Sequence, residues 1–410
     1  MKKYFIQTYG CQSNIKDSQS ISGMLEALEF VETSEYNEAD VIIINSCSVR
    51  QKAEDKVYGW GKVLEPRSAI PNLKLEDNTL DFTKNPYFES KNKKQIRFLV
   101  GCMVGSVKGD RKRYKEVSLA KRLPWVDYLL SPEEEYLIPE ILKEEGLIDD
   151  WSKEVVMRGA KSNVSLVEDG FGGKWAYVNI STGCDNFCTF CVVPYARGKE
   201  ISRPKGEIIK EVKNAVSKGY TDIMFLGQNV NSWGLNHETK FKLRAGSDDK
   251  IPFATLIRDV HEIKGVTKIA FMSSNPFDFT ADLIDTLVLP KVDKHLHIAV
   301  QSGDNEVLKS MNRRHTIEEF EDLIFSIKSK IPEMTFGTDI IVGFPGETDK
   351  QFENTVKLFR KIKFNVAFIS IYSIRKGTIA EKKMVDDVPL SEKKRRHAYL
   401  TKVWKESLRK

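Results

Sequence analysis

The sequence lacks most of what marks a secreted or membrane protein. No run of roughly 18 apolar residues, the length a membrane-spanning helix needs, occurs anywhere in its 410 positions. The opening Met1-Lys-Lys-Tyr-Phe-Ile-Gln-Thr-Tyr9 has no apolar signal region. Cysteine is scarce at six, and a chain of this length with 41% hydrophobic residues needs no disulfide staples, so reduced thiols and a cytoplasmic location without membrane attachment are expected. A strong excess of one charge is also missing. The 64 Lys and Arg residues nearly balance 58 Asp and Glu, and the net +6 permits a nucleic-acid partner without demanding one. Gly343-Phe-Pro-Gly-Glu347 lacks the G-x4-G-K-[ST] pattern of a phosphate loop.

What is present is an unusual use of those few cysteines. Cys184, Cys188 and Cys191 stand in the run Gly183-Cys-Asp-Asn-Phe-Cys-Thr-Phe-Cys191 at C-x3-C-x2-C spacing, one ligand short of a complete set. A structural zinc site would show paired C-x2-C units and a fourth Cys or His, and none of the six histidines lies near this loop. Thiolates suit iron-sulfur clusters, and a four-iron cluster held by three cysteines keeps one iron open for a substrate or cofactor. The other three, Cys11, Cys47 and Cys102, each follow a strand-like run, where the carboxyl edge of an open α/β sheet brings distant loops together. A second metal site is therefore plausible. A two-cluster electron-transfer protein, the non-enzymatic reading, calls for eight cysteines rather than six.

Strand-like and helix-like stretches alternate. Strands are expected at 4–9, 41–45, 98–100 and 126–130, with a helix at 15–28 carrying Ile21, Met24, Leu25 and Leu28. Residues 1–150 then form a small α/β domain with a parallel sheet, interrupted at about 66–95 by a polar excursion with three prolines. Residues 151–174, with Gly170, Gly172 and Gly173, read as a linker. From 175 to 390, strands are expected at 175–181, 222–226, 268–272, 296–300, 335–342 and 366–372 with amphipathic helices between them, six βα units of an open, partial (β/α) barrel. The functional face of such a barrel lies beyond the strands, where Gly227-Gln-Asn-Val-Asn231, Ser273-Ser-Asn-Pro276, Gln301-Ser-Gly-Asp304 and Gly343 to Glu347 fall. His295 and His297 alternate on one strand and are expected to pack. The basic stretches, Lys108 to Arg122 and Lys393-Lys-Arg-Arg396 in a C-terminal helix at 391–410, are expected to be solvated helix faces.

Taken together these residues resemble the radical S-adenosylmethionine (SAM) enzymes, and within them the methylthiotransferases. The run from Gly183 through Val192-Val-Pro-Tyr-Ala-Arg-Gly198 is similar to that family's cluster loop. Gln301-Ser-Gly, Met311-Asn-Arg-Arg, the run from Thr338-Asp-Ile-Ile through Glu347-Thr, and Thr8-Tyr-Gly-Cys-Gln-Ser-Asn14 carry the likeness over nearly the whole chain. Val192-Val-Pro-Tyr and Leu226-Gly-Gln-Asn-Val-Asn-Ser-Trp233 resemble the branch acting on isopentenyladenosine in tRNA. The alternatives are the branches acting on threonylcarbamoyladenosine in tRNA or on an aspartate of a ribosomal protein.

The resemblance implies two [4Fe-4S] clusters, one that binds SAM on Cys184, Cys188 and Cys191 and an auxiliary one on Cys11, Cys47 and Cys102. It implies that one SAM donates a methyl group and another yields a 5′-deoxyadenosyl radical, placing a methylthio group on C2 of the adenine next to the anticodon. Strand-end position makes Gln228 and Asn229, then Ser302 and Asp339, candidates to contact SAM. Tyr195, Arg197, Lys199 and Arg203 follow the cluster loop and are candidates to stack on or pair with anticodon-loop RNA. The further expectations are an electron donor such as flavodoxin or ferredoxin, a sulfur source and a monomeric chain. The chain departs from the family in two places. Its Cys47 to Cys102 interval is longer than usual, and it stops at Lys410, where the family continues into a small β-barrel RNA-binding TRAM domain absent from this sequence.

Overall fold

The computed structural model describes residues 1–49, 51–69, 83–89, 95–108, 111, 117–162, 166–168, 174–244 and 250–409. Much of the 66–95 excursion, the middle of the first basic stretch and the linker glycines lie outside these residues. Among the described residues no helix is long and apolar enough to cross a membrane. The chain folds into two compact units. The first comprises Met1–Ser165, Gly183–Asp185 and Val192–Glu200, and the second Leu166–Thr182, Asn186–Cys191 and Ile201–Lys410.

A five-stranded sheet forms the first unit, with spatial order Val31–Glu32, Lys3–Tyr9, Val41–Ser46, Ile96–Val100 and Tyr128–Leu130, all parallel. Val41–Ser46 and Ile96–Val100 are buried along their whole length, which is why Val41 to Ile44 and Phe98 to Val100 read as unbroken apolar stretches rather than alternating ones. Tyr4, Ile43 and Phe98 on one face pack with Ile21, Met24 and Leu25 of helix Gln12–Ala27. Ile42, Ile44 and Leu99 on the other pack with Val57, Met103 and Trp125. The second strand in sequence lies to one side of the first and the third to the other, so strand order reverses around the first strand. That reversal is where open α/β sheets bind ligands, beyond the strands' carboxyl ends.

Residues 151–162, expected as open linker, instead close this unit. Helix Lys153–Ser162 contributes Val156 and Ala160 to the core. It lies so close to helix Gln12–Ala27 that a Cβ on Gly159 would come within 2.4 Å of the Gly23 carbonyl oxygen.

In the second unit six parallel strands follow one another in sequence and in space. They are Lys174–Asn179, Asp222–Leu226, Lys268–Phe271, His295–His297, Thr335–Val342 and Val366–Ile371. Ladder pairing joins the first three and the last three, and parallel bridges Ile269 to Val292 and Ser274 to Ile298 carry the arrangement between them. This is the expected open six-unit barrel. Leu166–Glu168 adds an antiparallel edge strand beside Lys174–Asn179. Capping boxes at Thr316 and Thr348 start the helices Ile317–Lys330 and Asp349–Ile362, satisfying N–H groups that a helix leaves unpaired.

The C-terminal helix Leu390–Ser407 corrects the expectation of a solvated basic face. Lys394 and Arg395 are exposed, but Lys393 and Arg396 are buried. Arg396 donates to the Glu347 carbonyl (2.7 Å) and carboxylate (2.9 Å), and Lys393 pairs with Asp386 and lies 4.9 Å from the Tyr372 ring centre. Both fasten the helix to the Gly343–Glu347 turn and its surroundings.

Candidate metal centres

Three strand ends position the first cysteine trio. Cys11 caps helix Gln12–Ala27 directly after strand Lys3–Tyr9, Cys47 follows Val41–Ser46, and Cys102 opens the short helix Cys102–Gly105 after Ile96–Val100. The last connection turns at Gly101, whose φ of +95° suits glycine and where a Cβ would meet Asn45 Oδ1 at 2.4 Å. The Cys11 and Cys47 thiols hydrogen-bond each other. Asn14 braces the group, donating to Asn45 Oδ1 (3.0 Å) and towards Cys102 Sγ (3.9 Å) while its Oδ1 accepts the Cys11 N–H (3.3 Å). Asn45 in turn donates to the Asn14 carbonyl and to Ser18 Oγ, each at 2.9 Å.

Cys11 is the acid of this group. The Cys47 thiol's hydrogen bond, assisted by Arg197, holds it down to about 5 against burial. The same bond and then burial push Cys47 up, and burial raises Cys102 in spite of Arg197. Cys11 is thus the readiest thiolate of the three, and ligation of a metal by all of them would release protons from the other two. Among the described residues no three His, Cys, Asp or Glu side chains converge on a single ion site. A cubane cluster requires no such convergence, because each thiolate binds its own iron.

Arg197 corrects a sequence expectation. It is 5% exposed, donating Nε to Cys102 Sγ at 3.1 Å and Nη2 to Asp17 Oδ2 at 2.5 Å, so it is not placed to meet RNA. Glu135, buried beside Asp17 and Arg197, has its carboxyl raised well above the ordinary value, first by burial and then by the Asp17 charge. Arg203 is likewise committed, to Glu211 (2.8 Å) and the Asn179 carbonyl. Lys199 is exposed and Tyr195 half-buried.

The C-x3-C-x2-C run is held from several sides. In the first unit the Cys184 N–H reaches the Gly198 carbonyl at 3.4 Å, and Gly183 has φ +70° with no room for a Cβ, which would lie 2.1 Å from the Lys199 carbonyl oxygen. In the second unit the Cys191 N–H closes a turn on the Cys188 carbonyl at 2.9 Å. The Met311-Asn-Arg segment clamps this part. Asn312 Nδ2 donates to the carbonyls of Asn186 (3.1 Å) and Phe187 (3.0 Å), Thr189 N–H donates to Met311, and Arg313 Nη1 reaches Cys188 Sγ at 3.4 Å. Phe187, Ser273, Gln301 and Asn312 all have positive φ without being glycine, a strain that surrounding contacts must enforce and that collects at functional sites.

The proposed SAM contacts fare unevenly. Asn229 is 1% exposed and bonds internally to Ser232 and Asn275, both at 2.5 Å, and Ser302 Oγ accepts the Asp304 N–H beside a helix start. Both ends of the Asn229 amide are used and Ser302 is fully buried, so neither is open to a ligand in this structure. Gln228 lies in the loop after strand Asp222–Leu226. Asp339 pairs with the buried His297 at 2.9 Å and keeps its side chain 42% exposed, so His297 does more than pack. Sequence reasoning gave no role to Asn14, Asp17, Asn45, Asn312 and Arg313. Asn14, Asn312 and Arg313 sat in the quoted motifs, which was their only signal.

The class follows from comparison with known proteins. The Radical SAM superfamily profile matches residues 178–359, and that of an uncharacterized protein family, UPF0004, matches residues 3–69. The tRNA-2-methylthio-N(6)-dimethylallyladenosine synthase of Clostridium botulinum strain Alaska E43 is 37% identical over 388 residues, covering 94% of this chain and 76% of the relative. The same-named protein of Clostridium tetani is 38% identical over 395 residues, covering 94% and 78%. Among solved structures, the radical SAM methyltransferase TsrM of Kitasatospora setae superposes with a TM-score of 0.56 at 11% identity over 93% of this chain and 77% of that one, a likeness of fold. The chain therefore belongs to the tRNA-2-methylthio-N(6)-dimethylallyladenosine synthase family of radical SAM proteins.

Proposed function

We propose that the protein converts N6-isopentenyladenosine beside the tRNA anticodon to its 2-methylthio derivative, using SAM and two [4Fe-4S] clusters. The observation that carries this reading is identity of 37–38% over 94% of the chain to relatives bearing that activity as their name. The donor sets fit the clusters. Cys11, Cys47 and Cys102 lie at neighbouring carboxyl strand ends, with the Arg197 cation on Cys102, and Cys184, Cys188 and Cys191 stand at three-ligand spacing. Bound there, the clusters would supply an electron for SAM cleavage and a site for the sulfur to be transferred. The chain's own residues would orient. Asn312 and Arg313 hold the Cys188 segment, Asn14 and Asn45 brace the first trio, and Gln228 and Asp339 are the remaining candidates for SAM. Tyr195 and Lys199 are candidates for RNA. A low-potential electron donor of the flavodoxin or ferredoxin kind, a sulfur source, a cytoplasmic location and a monomeric state complete the proposal.

The test uses anaerobically reconstituted protein with SAM, reductant and tRNA bearing either isopentenyl- or threonylcarbamoyladenosine, read by mass spectrometry. Methylthio product on the isopentenyl substrate is expected, and product only on the other would move the protein to the other tRNA branch. Cys188→Ala is expected to abolish SAM cleavage, whereas Cys47→Ala keeps cleavage and stops sulfur insertion. Zinc without iron after reconstitution would sink the enzyme reading.

A further inference from the structure

Arg197 lies six residues past Cys191, yet its side chain belongs to the other trio. Its guanidinium bonds Cys102 Sγ through Nε (3.1 Å) and Asp17 through Nη2 (2.5 Å), and both Arg197 and Asp17 are buried. The approach is built rather than incidental. Gly105, on the short helix that Cys102 opens, lies against the Ala196 carbonyl so closely that a Cβ would sit 2.1 Å from that oxygen. Glycine is what lets the backbone before Arg197 come near. Taking a guanidinium out of water is costly, and one carboxylate offsets it while its second arm is spent on a cysteine sulfur.

We propose that Arg197 is a positioning residue for the cluster held by Cys11, Cys47 and Cys102. It raises that cluster's reduction potential through a charge-assisted hydrogen bond to the Cys102 sulfur, with Asp17 holding its orientation and moderating its charge. The inference rests on the ligand assignment proposed above. Reduction adds negative charge to a cluster, and hydrogen bonds and cations at the sulfurs stabilise the reduced form, so losing Arg197 lowers the potential. Losing the Asp17 charge leaves the cation uncompensated and raises it. A merely structural residue gives no such opposition of sign.

The experiment uses the full chain carrying Cys184→Ala, Cys188→Ala and Cys191→Ala, so that one cluster is loaded. Iron and sulfide content and the paramagnetic signature of the reduced state confirm loading, and a spectroscopic redox titration reads the potential. Arg197→Gln is expected to shift the reduction equilibrium at least tenfold towards the oxidised form, about 59 mV for one electron, and Asp17→Asn to shift it towards the reduced form. Arg197→Lys keeps the charge without the Nε bond and is expected to fall between Arg197→Gln and the parent. If Arg197→Gln fails to hold a cluster, the sign in Asp17→Asn decides. Full loading with unmoved potentials, or shifts of the same sign in Arg197→Gln and Asp17→Asn, overturns the inference while leaving the ligand assignment intact. No cluster in the triple-alanine parent overturns the assignment and the inference with it.

Discussion

Replacing Arg396 by Met keeps the aliphatic stem but strands Glu347. Both side chains are almost fully buried, at 4% and 1% exposure, and the carboxylate also accepts the Gly343 N–H at 2.6 Å. Breaking a buried pair by removing one partner costs about 3–5 kcal/mol. The acid has a way out, because burial already pushes the Glu347 carboxyl above its ordinary 4.5, and without Arg396 it rises further and takes a proton. Each pH unit between 4.5 and the solution is worth about 1.4 kcal/mol, which caps the loss at about 3.5 kcal/mol at pH 7 and at about 1.4 kcal/mol at pH 5.5. The sign follows from the raised folded-state value. The buried neutral acid is favoured, so its advantage is full below the unfolded-state value and is lost as pH rises through the folded one, and the variant weakens relative to the parent with rising pH. Hydrogen exchange of helix Leu390–Ser407, read by mass spectrometry, gives the local opening free energy without assuming that both units unfold together. Adding Glu347→Gln should restore most of the loss, since the amide still accepts from Gly343. A loss below 1 kcal/mol at pH 7, or an equal loss at pH 5.5 and pH 7, would refute this account.

Three further outcomes are expected. Gly105→Ala forces a Cβ into the Ala196 carbonyl, costing about 1–3 kcal/mol by overpacking and lengthening the Arg197 contact to Cys102, visible as a lowered melting temperature and a shifted potential of the neighbouring cluster. Asn312→Ala leaves the Asn186 and Phe187 carbonyls without their shared donor, a cost of about 1–3 kcal/mol, and should lower iron retention on the C-x3-C-x2-C run while sparing the first trio, as iron analysis in single-trio variants would show. Burial holds His315 down to about 3 with Arg313 assisting, so its neutral form contributes stability that is present above about 6.5 and lost as pH falls. His315→Phe, stacked on Phe277, should flatten the stability profile between pH 6.5 and 5, and an unchanged slope in thermal melts would count against it.

Much of the framework was legible in the sequence because it rests on local pattern. Runs such as Val41-Ile-Ile-Ile and the strand-helix alternation after 175 gave the strands within two residues, except that the expected 296–300 stops at His297, and each cysteine of the first trio was visible as the residue just past one of them. What the sequence hid are pairings over long separations. Arg197 after a cluster loop reads as a basic contact for RNA, and nothing nearby announces Asp17, 180 positions earlier. Asn229 reads as a free amide until Asn275, 46 residues on, uses it. Arg396 reads as part of a solvated face because its acceptor Glu347 lies 49 positions away, and Lys393 because the Asp386 carboxylate and the Tyr372 ring that hold it are brought near only by the fold. Helix Lys153–Ser162 carries apolar Val156 and Ala160 one turn apart, but its packing also needs Gly159 against Gly23, a close approach between positions far apart in sequence that the sequence does not announce.

The spread of the first trio along the chain sets the timing of its assembly. Cys11 and Cys47 come together as soon as Lys3–Tyr9 pairs with Val41–Ser46, but Cys102 arrives only when Ile96–Val100 is laid beside them. During synthesis from the N-terminus the nascent chain therefore presents a two-thiol site, apt for stray metal or oxidation, until about a hundred residues have emerged and folded. On the ligand assignment proposed above, loading the cluster belongs after that moment, and a growing chain that meets iron early would hold it with one ligand too few.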